Sequence, residues 1–155
     1  MDYTSIKTLG QLKASGYTTK SVKDEIRTNL ISWIREGKSL PGILGYDNSV
    51  IPQLESALLA KHNILFLGLR GQAKTRIARS ITQLMDEQIP VIEGSSLRED
   101  PFNPITKENI DRAEKLGDDL PVVWQRRHDR YGEKLATPDV SIADLIGDLD
   151  PIKAS

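Results

Sequence analysis

An uncharged apolar run, Ile64-Leu65-Phe66-Leu67, stands between Asn63 and Gly68, with a glycine-containing turn and a helical pattern directly behind it. No other stretch constrains the chain as much. A continuous run of that length suits a strand buried on both faces, and such a strand needs helices to cover it. Helical periodicity is present on both sides. Ser21 can cap a helix in which Val22, Ile26, Leu30, Trp33 and Ile34 recur at helical spacing, with Asp24 answering the cap and Gly37 as the stop. A second helix starts after Asp47-Asn48-Ser49 and accepts Pro52 only in its first turn. A third runs from about Lys74 to Glu87, with Ile77, Ile81, Leu84 and Met85 on one side. Pro90-Val91-Ile92 reads as a second short strand, and strands alternating with helices favour an α/β plan over a helical bundle.

Signals weaken past Gly94. Ile110, Ala113 and Leu116 fit a short helix ending at Gly117. Val122-Val123-Trp124 and the stretch from Tyr131 to Leu135 are expected to pair as a hairpin. Ser141 can cap a last short helix that ends at Gly147.

The chemistry concentrates in Gly68-Leu69-Arg70-Gly71-Gln72-Ala73-Lys74-Thr75. A phosphate-binding loop requires Gly, four residues, Gly, Lys and then Ser or Thr, between a strand and a helix. Gly68 would end the strand in a tight turn, and Gly71 would let successive amides point inward. Those amides, with the positive end of the following helix, form an anion site. Lys74 would set a charge beside the terminal phosphates, and the Thr75 hydroxyl would join a Mg²⁺ shell. Ala73 occupies the place of the second glycine.

Around this loop the chain resembles the AAA+ ATPases, in particular the clade of the magnesium-chelatase ATPase subunit and the minichromosome-maintenance helicases. The resemblance is carried by Pro41-Gly42-Ile43-Leu44-Gly45-Tyr46, by Leu58-Leu59-Ala60-Lys61-His62-Asn63, and by the loop with its Arg70-Gly71 pair. Further on, it is carried by Glu133 to Asp139 and Asp144 to Pro151. In that clade alanine often precedes the loop lysine. The resemblance implies ATP and Mg²⁺ as cofactors, with Ile43, Leu44 and Tyr46 against the adenine ring and the loop residues on the phosphates. It implies an incomplete P-loop NTPase α/β/α sandwich over residues 40–155, with an insert at about 98–132, and the periodicity read above places a helical segment over 1–39 before it. It also implies self-association in a ring that hydrolyses ATP and remodels a client. The family's acidic pair at the end of a second apolar strand has no counterpart after Thr75, so binding without turnover is expected, with no catalytic residue assigned, in what looks like the front part of a longer ATPase. Strands lacking their family neighbours would leave ladder groups unpaired, which predicts poor stability or association.

Composition narrows the alternatives. Lys and Arg total 21 against 22 Asp and Glu, a net charge of -1, which argues against binding nucleic acid by bulk electrostatics. There is no cysteine, and the two histidines have no triad partner nearby, which leaves nucleophilic catalysis and a transition-metal site without support. The basic cluster Gln125-Arg126-Arg127-His128-Asp129-Arg130 is read as the exposed tip of an insertion hairpin. No apolar stretch is long enough for a membrane span, and the expectation is a soluble cytoplasmic protein. A non-catalytic interaction module with a vestigial loop, docking through the helix at Ser21–Glu36 and the basic insert, is the alternative.

Overall fold

The computed structural model of the chain describes residues 5–40, 43, 45–69, 71–134 and 137–147. Six helices and two strands follow one another in the order α1 (Leu9–Ala14), α2 (Val22–Arg35), α3 (Val50–Leu59), α4 (Lys74–Ile81), β1 (Gln88–Ile92), α5 (Lys107–Leu116), β2 (Val122–Arg126) and α6 (Ala143–Ile146) among the described residues. The architecture is mixed helix and sheet, with β1 and β2 forming a two-stranded antiparallel sheet. No helix of the described residues is long and apolar enough to cross a membrane.

Helix starts follow local chemistry. The Ser21 hydroxyl accepts from the Asp24 amide at 3.2 Å and donates to the Asp24 carboxylate at 2.6 Å, closing the first turn of α2. Thr106 accepts from the Asn109 amide at the start of α5, and Ser141 and Asp144 bond reciprocally at the start of α6.

Two apolar clusters hold the fold. In the first, Leu30 of α2, Ile51, Leu54 and Leu58 of α3, Ile77 of α4, Leu84, Leu40 and Ile43 are buried together, with Ile64, Phe66 and Trp33 packed against them. In the second, Leu9 and Leu12 of α1 meet Ile92, Leu120 and Val122 beside the sheet. The chain before α1 runs along β2: the Val122 amide donates to the Lys7 carbonyl at 2.9 Å and the Trp124 indole to the Ile6 carbonyl at 3.1 Å.

Strand pairing differs from the sequence expectation in two places. Ile64 to Leu67 joins no ladder among the described residues. Burial along it still alternates, with Ile64 and Phe66 half-buried and Leu65 and Leu67 80% and 84% exposed, which is the period of an extended chain. The pairing that forms is between β1 and β2, in the register Ile92↔Val122 to Gln88↔Arg126. The expected hairpin between Val122–Trp124 and Tyr131–Leu135 is therefore absent over the described residues 131–134; Leu135 lies outside them. Past the end of β2 the chain turns away from the sheet: residues Arg127–Arg130 wind into a 3₁₀ turn, and Arg130 swings back to α2.

Helix α4 ends at Ile81, with a 3₁₀ turn to Leu84, short of the expected Glu87. Neighbours take over the backbone there. Asn29 donates to the Leu84 carbonyl and to Asp86, each at 2.8 Å, and Arg127 donates to the Gln83 carbonyl at 2.9 Å.

Two buried carboxylates organise the loops. Glu99, 3% exposed, accepts from the amides of Ile105 and Thr106 and from Asn109. Its burial alone would raise the carboxyl pKa, but those donors outweigh it and hold the group down at about 2. Glu25, 2% exposed, is gripped by both arms of Arg130 at 2.7 and 2.8 Å, and it also accepts from the Asp86 amide at 3.0 Å. Removing one partner of such a pair strands a charge in the interior. Arg130→Ala is therefore expected to lower stability to urea by about 3–5 kcal/mol, and Glu25→Leu combined with Arg130→Met to restore most of the loss. An Arg130→Ala midpoint equal to wild type would contradict this role.

Candidate functional site

The phosphate-loop pattern forms the turn between the 64–69 run and α4. Its backbone has positive φ at Gly68 (φ +152°), Gly71 (φ +83°) and Ala73 (φ +53°, ψ +15°). At Gly68 the torsion disfavours a side chain, and an added Cβ would also have to displace the end of the Gln72 side chain. Left-handed residues on either side of Gln72 give the alternation that turns successive amides to one side of a loop.

Lys74 closes the turn. Its ammonium donates to the carbonyls of Gly68 at 2.8 Å and Leu69 at 2.5 Å, so the side chain runs back over the loop that precedes it. Ala73 is the N-cap of α4 and offers no side-chain cap, and the first turn holds no acid. Lys74 and Arg76 instead set cations at the positive end of the helix dipole, an arrangement that an anion would relieve. Gly71, Gln72, Ala73, Lys74, Thr75, Arg76 and Arg79 line an open cavity of about 790 Å³, within the size range of small-ligand sites.

The residues expected at an adenine ring divide. Tyr46 is half-buried, and its hydroxyl reaches the Gln72 carbonyl at 3.5 Å, which brings the 43–46 segment beside the loop. Ile43 is 8% exposed and belongs to the first apolar cluster. Leu44 and Arg70 lie outside the described residues. Thr75 is exposed on the cavity wall. No group of three or more His, Cys, Asp or Glu able to hold a metal occurs among the described residues.

Two neighbours of the loop carry no motif. Arg79, in the last turn of α4, forms a two-pronged pair with Glu133, with both nitrogen–oxygen distances 2.8 Å. The Tyr131 hydroxyl donates to the same carboxylate at 2.9 Å. Arg79 first, and Tyr131 second, hold the Glu133 carboxyl at about 2, so it is ionised at neutral pH. Only a contact across 54 residues reveals this pair. The basic cluster lies apart from the loop. Arg126, Arg127 and His128 line a different cavity of about 310 Å³ with Glu87 and Gln88, and Arg130 is turned inward.

Left-handed backbone costs an alanine about 1–2 kcal/mol, part of which a glycine would lose again to unfolded-chain entropy. Ala73→Gly is accordingly expected to stabilise the protein by about 0.5–1 kcal/mol and to raise the thermal midpoint by roughly 1–4 °C. A lowered midpoint in calorimetry would show that residue 73 is not strained.

Comparison with family models, with curated proteins and with solved structures gives no match to this chain.

Proposed function

We propose that the chain is an ATP- and Mg²⁺-binding module of the AAA+ type, resembling the magnesium-chelatase ATPase subunit and built on an incomplete P-loop NTPase sandwich. The observation that carries this is the closed loop: Lys74 bonded back to the Gly68 and Leu69 carbonyls, and a left-handed residue 73 leading into an α4 with no side-chain cap. In this role the amides of Gly71, Gln72 and Ala73 cradle phosphate and Lys74 supplies charge. Tyr46, with Ile43 and Leu44, flanks the base.

The residues present suit a nucleotide that brings its metal with it. Thr75 offers a hydroxyl oxygen at the start of α4, and Mg²⁺ completes its shell with phosphate oxygens and water. Binding without turnover is the expectation for this chain, because the sequence after Thr75 has no acidic pair closing a second apolar strand. In a complete protein the module would assemble in a ring, hydrolyse ATP and remodel a partner.

One observation favours a second reading, a non-catalytic interaction module with a vestigial loop. Leu65, Leu67 and Leu69 are 80%, 84% and 77% exposed on one face of the run before the loop, a bare apolar stripe of the kind that partners cover.

Calorimetric titration with Mg²⁺ and a slowly hydrolysed ATP analogue separates the two. The nucleotide-binding reading expects saturable binding that Lys74→Ala weakens by tenfold or more, about 1.4 kcal/mol. Binding that survives Lys74→Ala unchanged would refute the site, and no binding alongside capture of a protein partner would establish the second reading.

A further inference from the structure

Arg79 and Thr75 lie one helical turn apart on the same face of α4, and both line the loop cavity. Side chains on a helix tilt toward its N-terminus, so the Arg79 guanidinium reaches back in the direction of the loop. Lys74 is committed to two loop carbonyls. Arg79 is committed as well, to a carboxylate: Glu133 accepts from Nε and Nη2 in the parallel two-bond geometry that a guanidinium also offers to phosphate.

That carboxylate arrives on a tether. Arg130 is buried on Glu25, with its side chain 7% exposed, and fixes the chain to α2; Glu133 comes three residues later, within one short stretch without helix or strand. The Arg79–Glu133 pair itself is open to solvent, with the two side chains 62% and 39% exposed. A pair of this kind contributes little net stability, so exchange of one anion for another is cheap.

We propose that Glu133 is a built-in competitor for the phosphate site. Its carboxylate holds Arg79 when the loop is empty. A polyphosphate seated on the loop, with a terminal group extending along α4, takes Arg79 in its place and frees the 131–134 strap. This rests on the loop being a phosphate cradle. It adds a ligand class, anions with at least one phosphoryl group beyond those held by the loop amides, and a consequence of binding, the release of Tyr131 and Glu133 from α4.

The test is calorimetric titration of the full chain with inorganic tripolyphosphate, using wild type, Glu133→Gln, Arg79→Ala, the double variant and Lys74→Ala. Glu133→Gln is expected to bind about two- to fivefold more tightly than wild type, the range of an exposed ion pair. Arg79→Ala is expected to bind more weakly, and Glu133→Gln to bring no gain on that background. Equal affinities for wild type and Glu133→Gln, with binding lost in Lys74→Ala, would overturn the competitor role while leaving the loop intact. So would a gain that persists undiminished without Arg79, since it would come from general charge alone. No binding by wild type would remove the loop site and the competitor together.

Discussion

The ammonium of Lys74, bonded to the carbonyls of Gly68 and Leu69, is the interaction on which the rest of the site depends. It draws the start of the loop against the start of α4, and the turn between them closes through positive φ at Gly68, Gly71 and Ala73. Residue 73 is an alanine, so α4 has no side-chain cap, and its first turn holds no acid to stand in for one. The result is a helix start with no side-chain cap and with Lys74 and Arg76 in its first turn, a poor arrangement for stability alone and a good one for an anion.

Around this strained turn the scaffold is tied by contacts distant in sequence. Arg130 on Glu25 of α2, and the donors gathered on Glu99 in the loop before α5, each satisfy a buried carboxylate. These ties also direct the chain. With Arg130 anchored on Glu25, the next residues pass α4 and deliver Glu133 to Arg79, so a structural ion pair sets the position of the competing one.

Features governed by neighbours in sequence were legible from the sequence. The reciprocal Ser21–Asp24 bond and the stop of α5 at Gly117 each need only a few adjacent residues. Features governed by distant neighbours were not. The apolar run at 64–67 keeps its strand-like alternation but joins no ladder among the described residues, while β1 pairs with β2 from the far side of α5. The end of α4 is set by Asn29 and Arg127, and Arg130, one of several similar cations in a basic cluster, is singled out only by the buried Glu25. For the candidate site, the loop residues and Tyr46 could be named from the motif and the family resemblance. Arg79 and Glu133 could not, since each is an ordinary charged residue until the fold sets them together.

The central claim is that the amides of the loop and of the first turn of α4 bind phosphate. Backbone amide NMR on the full chain, titrated with Mg²⁺ and a slowly hydrolysed ATP analogue, tests it most directly. The account predicts large, saturable shifts at Gly71, Gln72, Ala73, Lys74 and Thr75, with the second apolar cluster around Leu12 and Ile92 left unmoved. Shifts confined to other regions, or none at these amides at saturating analogue, would contradict it.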